Sequence, residues 1–146
     1  MMQGVSSNSL TEAVGYQLKR VDTLLRARME EALRPLELSV PQYACLELLG
    51  QQPGLSNADL ARGAFVTRQS MNLVLRGLQD RGLVERPASV ERGRARPSQL
   101  TPSGSVLLAQ ASAAIVVVEQ QMLSGLHDEQ QVSLLRTLTV CASNLA

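Results

Sequence analysis

The sequence predicts a mainly helical fold with six helices and one small β-hairpin, and three observations support it. Apolar residues recur at helical spacing along most of the 146-residue chain. Serine, threonine or aspartate stands at the start of each helical stretch, where capping residues are expected. The pattern changes only after Gly82, where two short β-type segments flank a polar stretch. A chain of this length is expected to form one domain.

The first two helices are separated by a proline. Ser9 begins a capping-box pattern, and the apolar stripe that follows predicts one long helix that ends by about Arg34. Pro35 disfavours its continuation. Ser39 begins a second capping box and predicts a helix over 42–49.

The next two helices have the layout of a helix-turn-helix. Ser56 opens a short helix from Asn57 to about Gly63. Thr67 caps a longer helix that continues to about Arg81. Because a tight turn joins the short helix to the longer one, we expect them to pack as a helix-turn-helix.

A hairpin follows, and two more helices complete the chain. The segments 83–86 and 96–100 predict two short strands around an irregular, arginine-bearing loop. A hairpin in this place is a wing, so the predicted fold is a winged helix-turn-helix. Thr101 opens a helix that continues to about Ser124, and Asp128 opens a last helix that reaches the C-terminus.

The composition excludes several classes of function. One histidine, His127, and two cysteines without a CxxC spacing, Cys45 and Cys141, fit neither a metal site nor a disulfide scaffold. No phosphate-binding glycine loop or nucleophile–base pair is present, so we expect no enzyme and no cofactor. We expect a cytoplasmic protein, because no apolar run approaches the ~20 residues of a membrane span and no secretory signal is recognisable.

The net charge of +1 conceals an uneven distribution. Residues 62–96 hold eight arginines and three acidic residues, whereas acidic residues outnumber basic ones on both sides of this segment. Such a basic island is typical of a module that contacts phosphate. The alternative is a solvated charged surface, which the large share of arginine makes less favoured.

Six short strings then stand in a fixed order: Ser39-Val40-Pro41-Gln42-Tyr43, Gly54-Leu55-Ser56, Asp59-Leu60-Ala61, Val66-Thr67-Arg68-Gln69-Ser70-Met71, Gly82-Leu83-Val84 with Leu78 and Arg86, and Leu100-Thr101-Pro102-Ser103-Gly104. In this order and spacing they resemble the MarR family of bacterial and archaeal winged-helix transcription regulators, over roughly residues 10 to 145. The resemblance implies a homodimer that binds double-stranded DNA at a palindromic operator, most often as a repressor.

The resemblance also implies a division of the chain. We expect a flexible tail over 1–8, a helical dimerisation region over 9–34 and 102–146, and a winged helix-turn-helix DNA-binding domain over 35–101. The apolar positions expected at the dimer interface are Leu10, Val14, Leu107, Ile115, Val118, Leu135 and Leu138. A dimer places two recognition helices about one DNA turn apart (~34–36 Å), as a palindrome requires.

The predicted recognition helix, 67–81, is apolar on one side and polar on the other. Arginine can bind guanine, and asparagine or glutamine can bind adenine, through two hydrogen bonds in the major groove. We predict base contacts from Arg68, Gln69 and Asn72, and phosphate contacts from Thr67, Ser70 and Arg76. The alternative is a winged helix that binds only protein, which should have lost this set of side chains.

Three arginines of the predicted wing, Arg92, Arg94 and Arg96, are expected to enter the minor groove or to neutralise phosphate. Similar family members commonly carry an aspartate two residues before the arginine that Arg94 matches, and Arg92 stands there instead. We therefore expect strong, weakly selective phosphate attraction with a steep salt dependence.

The resemblance further implies a small-molecule effector, such as an aromatic acid or a phenol, or alternatively a cysteine that senses oxidation. Tyr16, Lys19 and Arg20 of the first helix, with Tyr43 of the second, would line an aromatic and cationic pocket suited to a carboxylate. The alternative is that the tyrosines pack the hinge and the two cations are solvated. Both cysteines are expected in the core rather than as sensors.

Overall fold

The computed structural model describes residues 9–86 and 97–146, and within them it shows the predicted helices and hairpin. In chain order the elements are α1 (Val14–Leu33), α2 (Val40–Gln51), α3 (Asn57–Gly63), α4 (Arg68–Asp80), β1 (Val84–Glu85), β2 (Gln99–Leu100), α5 (Pro102–Met122) and α6 (Asp128–Leu145). α1 packs on α5, and α3 packs on α4. α2 contacts all four of these helices, so it joins the long helices to the helix-turn-helix.

Four predicted capping residues begin their helices, whereas the last helix has His127 at its N-cap and the predicted cap, Asp128, as its first helical residue. Ser39 Oγ accepts a hydrogen bond from the amide of Gln42 at 3.2 Å, and Gln42 Oε1 accepts one from the amide of Ser39 at 2.9 Å, which is a complete capping box. Ser56, Thr67 and Thr101 each accept an amide hydrogen bond from the residue three positions later, at 3.0–3.1 Å. These bonds satisfy amides that have no partner within their helix.

The start of α1 differs from the prediction, because the Ser9 side chain caps nothing among the described residues. Leu10–Glu12 forms a short 3-10 turn instead, and Ala13 is extended with ψ 134°, so the α-helix begins only after it. The Gln17 side chain donates to the carbonyl of Thr11 at 2.7 Å and ties the turn to the helix.

The hydrophobic core lies between α2, the helix-turn-helix and the hairpin. Its fully buried large side chains are Leu33, Leu46, Leu49, Leu60, Met71, Leu75 and Leu78. Cys45 and Ala111 are also fully buried in it. Against the described part of the chain, α6 buries no residue.

The hairpin pairs β1 with β2 antiparallel, with Val84 opposite Leu100 and Glu85 opposite Gln99. Gly82 ends α4 in the left-handed conformation (φ 72°), as its position predicts. Each strand has two residues and is shorter than the predicted segments 83–86 and 96–100. The predicted tail 1–8 and the polar loop of the wing lie outside the described residues.

Candidate nucleic-acid interface

α4 has one buried side and one exposed side. The buried side consists of the stripe Met71, Leu75 and Leu78. The exposed side carries the predicted contact residues Arg68, Gln69, Asn72 and Arg76. The first turn of the helix contains no acidic residue. A helix of this kind can enter a major groove, where its polar side chains meet the edges of the bases.

The N-terminus of α4 is built to attract an anion. Thr67 Oγ1 accepts the hydrogen bond of the Ser70 amide at 3.0 Å, and both side chains are exposed. The first amides of a helix point outward and carry the positive end of its dipole. Thr67 caps α4, as predicted. The phosphate contacts of Thr67 and Ser70 stay predictions.

Asn72 lies at the edge of the exposed side and is already engaged. Its Oδ1 accepts a hydrogen bond from the Asn57 side chain on α3. Arg86 Nη2 donates to Asn57 Oδ1 at 3.0 Å, and Arg86 Nε donates to Ser98 Oγ at 3.3 Å. Arg86 follows β1 and the buried Ser98 precedes β2, so this network connects Asn72 to the base of the hairpin. The contact with Asn57 orients the amide of Asn72 and leaves its Nδ2 group and one lone pair of Oδ1 for a base.

The basic island contains arginines of two kinds. Arg62 pairs with Asp59 on its own helix. Arg81 donates to two backbone carbonyls of the segment between α1 and α2, at 2.6 and 3.2 Å. Arg68 and Arg76 are exposed and have no ion-pair partner among the described residues. The fold therefore uses part of the island itself, and α4 presents the rest to solvent.

The predicted wing residues Arg92, Arg94 and Arg96 lie outside the described residues. The described residues include the base of the wing, where β1 pairs with β2. The hydrogen bonds of the Arg86 network join this base to α3 and α4. Any motion of the base of the wing relative to α4 would have to break these bonds.

Two exposed apolar side chains on this surface were missing from the sequence prediction. Leu73 is 68% exposed in the middle of the polar side of α4. Phe65 is 94% exposed in the turn before Thr67, and its backbone is left-handed with φ 59°. The sequence contains a signal for Leu73, because it follows Gln69 by four residues and precedes Arg76 by three.

The predicted effector residues do not all lie together. Tyr16, Lys19 and Arg20 line a shallow groove on α1 with Thr23 and Leu24. Tyr43 is absent from the described lining of this groove. The structure thus brings three of the four residues together, and the pocket stays a prediction.

Tyr43 instead takes part in the contact between α2 and α5. Its hydroxyl donates to Glu47 Oε1 at 3.2 Å, and Ser112 on α5 donates to the same oxygen at 3.0 Å. Burial, followed by the neighbouring Glu47 carboxylate, raises the pKa of Tyr43 above its ordinary value. Tyr43 therefore stays protonated at neutral pH and lies in the contact between α2 and α5, and its part in an effector pocket stays a prediction.

The seven predicted dimer-interface residues divide into two sets. Leu10, Val14, Leu135 and Leu138 are exposed in the single chain. Leu107 and Ile115 are half-buried against the core, and Val118 is 7% exposed, so these three pack mainly within the chain. Exposed valines of α5 and α6 add to this apolar surface: Val116, Val117, Val132 and Val140.

α5 is also more apolar than the sequence analysis recognised. By length and composition alone, Pro102–Met122 could cross a membrane, and only 17% of its most apolar stretch is buried within the chain. The expectation that no segment approaches such a length was therefore wrong. It considered only uninterrupted apolar runs, whereas this helix mixes valine and alanine with small polar residues.

The two cysteines lie in different environments. Cys45 is fully buried in the core, and burial raises the pKa of its thiol to about 12, so the thiolate is scarce at neutral pH. Cys141 is exposed on α6, contrary to the expectation that it is a core residue. Within residues 9–86 and 97–146, no cluster of histidine, cysteine and acidic side chains could hold a metal ion.

Comparison with known proteins identifies the family. Residues 36–95, which contain α2, the helix-turn-helix and the first strand of the hairpin, match the MarR family. The HTH-type transcriptional repressor Rv2887 of Mycobacterium tuberculosis is 45% identical over 131 residues, which is 90% of this chain and 94% of the relative.

Two solved structures of Rv2887 are similar to this chain. The complex of Rv2887 with salicylic acid has a TM-score of 0.74 and 45% identity, over 88% of this chain and 96% of that one. The complex of Rv2887 with DNA has a TM-score of 0.74 and 41% identity, over 88% of this chain and 97% of that one. With a relative this similar over nearly its whole length, the chain belongs to the MarR family of winged-helix transcriptional regulators.

Proposed function

We propose that the chain is a homodimeric repressor that binds a palindromic operator in the cytoplasm and is released from it by a small aromatic acid. Residues 35–101 would form the DNA-binding domain, and residues 9–34 with 102–146 the dimerisation region. The observation that carries the proposal is the exposed side of α4, where Gln69 and Arg76 lie opposite a fully buried apolar stripe and the exposed Arg68 begins the helix.

The side chains of α4 favour DNA over a protein partner. A winged helix that binds only protein needs no exposed guanidinium groups beside the positive end of a helix dipole. Here two exposed arginines lie on one helix, and the helix N-terminus is aligned with them. Rv2887, which has been solved with DNA, is similar over 88% of this chain.

The exposed apolar surface supports the dimer. α6 buries nothing against the described chain, yet Val132, Leu135 and Leu138 follow one another at helical spacing along it. On α5, Val116 and Val117 are also half exposed. Rows of exposed apolar side chains on two helices indicate an interface. A second copy that covers α5 and α6 would also account for the apolar composition of α5.

The first experiment is a selection of genomic fragments by the purified protein at about 150 mM salt, where the Debye length is ~8 Å. We expect enrichment of one inverted repeat whose halves are one helical turn apart, since two recognition helices of a dimer are spaced in that way. Size-exclusion chromatography with light scattering should give the mass of two chains. A folded dimer that enriches no sequence would refute the proposal.

Variants on α4 then separate base contacts from phosphate contacts. Gln69→Ala should relax the preference at one base pair of each half-site by ~1–3 kcal/mol while retaining affinity for random DNA. Arg76→Ala should weaken binding to both DNAs and reduce the slope of log K against log salt by ~0.9 per protomer. Arg26→Ala is the matched control, because its described partner is the exposed Glu30 on the same helix. Equal losses on operator and random DNA for Gln69→Ala would exclude it as a base contact.

The effector is tested with salicylic acid, which Rv2887 binds. Because linkage is reciprocal, salicylic acid should weaken DNA binding by the same factor by which DNA weakens salicylic acid binding. Lys19→Met should raise the concentration of salicylic acid needed for release, since a carboxylate would lose its cationic partner. Unchanged release in Lys19→Met and in Arg20→Met would exclude the groove on α1 as the effector site.

A further inference from the structure

We propose that Leu73 recognises the C5-methyl group of a thymine, and that this apolar contact lies between the polar contacts of Gln69 and Arg76. The proposal rests on the function proposed above, and it adds a residue that determines operator sequence. Leu73 is 68% exposed, whereas Met71 and Leu75 on the opposite side of the same helix are fully buried.

The position of Leu73 follows from helical geometry. Residues three and four apart share a face of a helix, so Gln69, Leu73 and Arg76 form one continuous strip. The centre of this strip is opposite the buried stripe of Met71, Leu75 and Leu78. If α4 lies in a major groove with its core side away from DNA, Leu73 is the side chain that points to the base edges.

Packing within the chain does not account for Leu73. Among the described residues, it belongs neither to the buried core nor to the half-buried set that packs against the core. The core of the helix-turn-helix is already filled from the other side of α4. A single exposed leucine is common on protein surfaces. Leu73 differs from such a residue because it lies at the centre of the strip, between the amide of Gln69 and the guanidinium group of Arg76.

The chemistry of the major groove supplies one apolar partner for such a side chain. Each base pair presents donors and acceptors there, and the C5-methyl group of thymine is the apolar feature. A leucine that packs against that methyl group removes both apolar groups from water. At any other base, the leucine would lie against a polar edge and leave it without a hydrogen-bond partner. The operator should therefore contain a thymine in each half-site at the step that Leu73 faces.

Substitution of deoxyuridine for thymine tests the contact, because it removes the methyl group and leaves the hydrogen-bonding edge unchanged. Each thymine of the selected operator is replaced in turn, in both half-sites, and bound by wild type, Leu73→Ala and Leu73→Met. At one position we expect wild type to lose about fourfold in affinity per half-site, the factor that corresponds to burial of one methyl group. Leu73→Ala should bind the thymine operator that much more weakly and show no further loss with uridine. Leu73→Met should retain most of the uridine effect, because its side chain is still apolar.

Two results would overturn the inference, and they are distinguishable from failure of the proposed function. Uridine effects of the same size in wild type and Leu73→Ala, or wild-type affinity in Leu73→Ala, would show that Leu73 contacts no methyl group. Wild-type protein that binds no operator specifically would overturn the proposed function, and this inference with it. Equal unfolding temperatures of wild type and Leu73→Ala verify that the variant folds, as expected for an exposed leucine replaced by a better helix former.

Discussion

Gly104, the third residue of α5, lies against the backbone that enters the hairpin, and we expect Gly104→Ala to be strongly destabilising. A Cβ atom at Gly104 would be 2.0 Å from the carbonyl oxygen of Leu83 and 3.0 Å from its carbonyl carbon. Both are backbone atoms, which cannot rotate away as the end of a side chain can. The start of α5 and the segment before β1 would have to separate by about 1.4 Å to restore an ordinary van der Waals contact.

That separation would strain two hydrogen bonds that join the same segments. The amide of Thr101 donates to the Leu83 carbonyl at 3.1 Å, and Thr101 Oγ1 donates to the Gly82 carbonyl at 2.6 Å. Overpacking costs ~1–3 kcal/mol, and each lost hydrogen bond adds ~1 kcal/mol. The better helix propensity of alanine returns ~1 kcal/mol. The net expectation is a loss of about 2–4 kcal/mol in the free energy of unfolding.

Denaturation at one fixed protein concentration measures this loss, because the stability of a dimer depends on concentration. At ~3 °C per kcal/mol for a chain of this size, the unfolding temperature should fall by about 6–12 °C. Gly77→Ala is the matched control. It makes the same chemical change inside α4, where a Cβ would meet Gln42 Nε2 at an ordinary 3.6 Å, and it should stabilise the protein by up to ~1 kcal/mol. If Gly104→Ala and Gly77→Ala shift stability in the same direction, the reasoning is wrong.

Three further predictions follow from the local geometry. Thr67→Ala should lower the free energy of unfolding by ~1 kcal/mol in chemical denaturation, because the Ser70 amide loses its acceptor, whereas Thr67→Ser should retain it. Phe65→Gly should stabilise the protein by up to ~1 kcal/mol, because glycine accepts φ 59° without strain and little burial is lost. A thermal shift of Phe65→Gly no higher than that of Phe65→Ala would contradict this reasoning. In a Cys141→Ser background, Cys45 should resist thiol reagents at pH 8 until the protein unfolds. The pKa of this thiol is about 12 in the fold against an ordinary 9.0, so the unfolded chain releases the proton first and the free energy of unfolding should fall as pH rises above about 9. Rapid labelling of folded protein would show that Cys45 is accessible.

Much of the fold was predictable because its signals are local. A capping residue and the amide that it satisfies are three positions apart, so Ser39, Ser56, Thr67 and Thr101 mark their helices from sequence alone. Ser9 shows where this inference fails. It stands at the same spacing from Glu12 as the other caps do from their partners. Because Ala13 is extended, the α-helix begins only after Ala13 and Ser9 does not cap it.

The candidate site was predictable in its residue types and less so in their roles. The apolar stripe of α4 indicated which side of the helix is exposed, and Gln69 and Arg76 lie there. The prediction considered polar side chains alone as base contacts and so passed over Leu73. Asn72 was predicted as a base contact, but the sequence does not show that Asn57 donates a hydrogen bond to its amide oxygen.

The sequence by itself therefore determined the order of the helices, four of their caps, the left-handed end of α4 at Gly82 and the family to which the chain belongs. Only the tertiary structure decided which arginines hold the fold and which face solvent. Arg81 meets carbonyl groups 44 and 45 positions away in the chain, and Arg86 meets Asn57 across 29 positions. Helical periodicity and capping act within four residues, so they carry no information about partners at such separations. Those partners are set when α2, α4 and the hairpin close around one core.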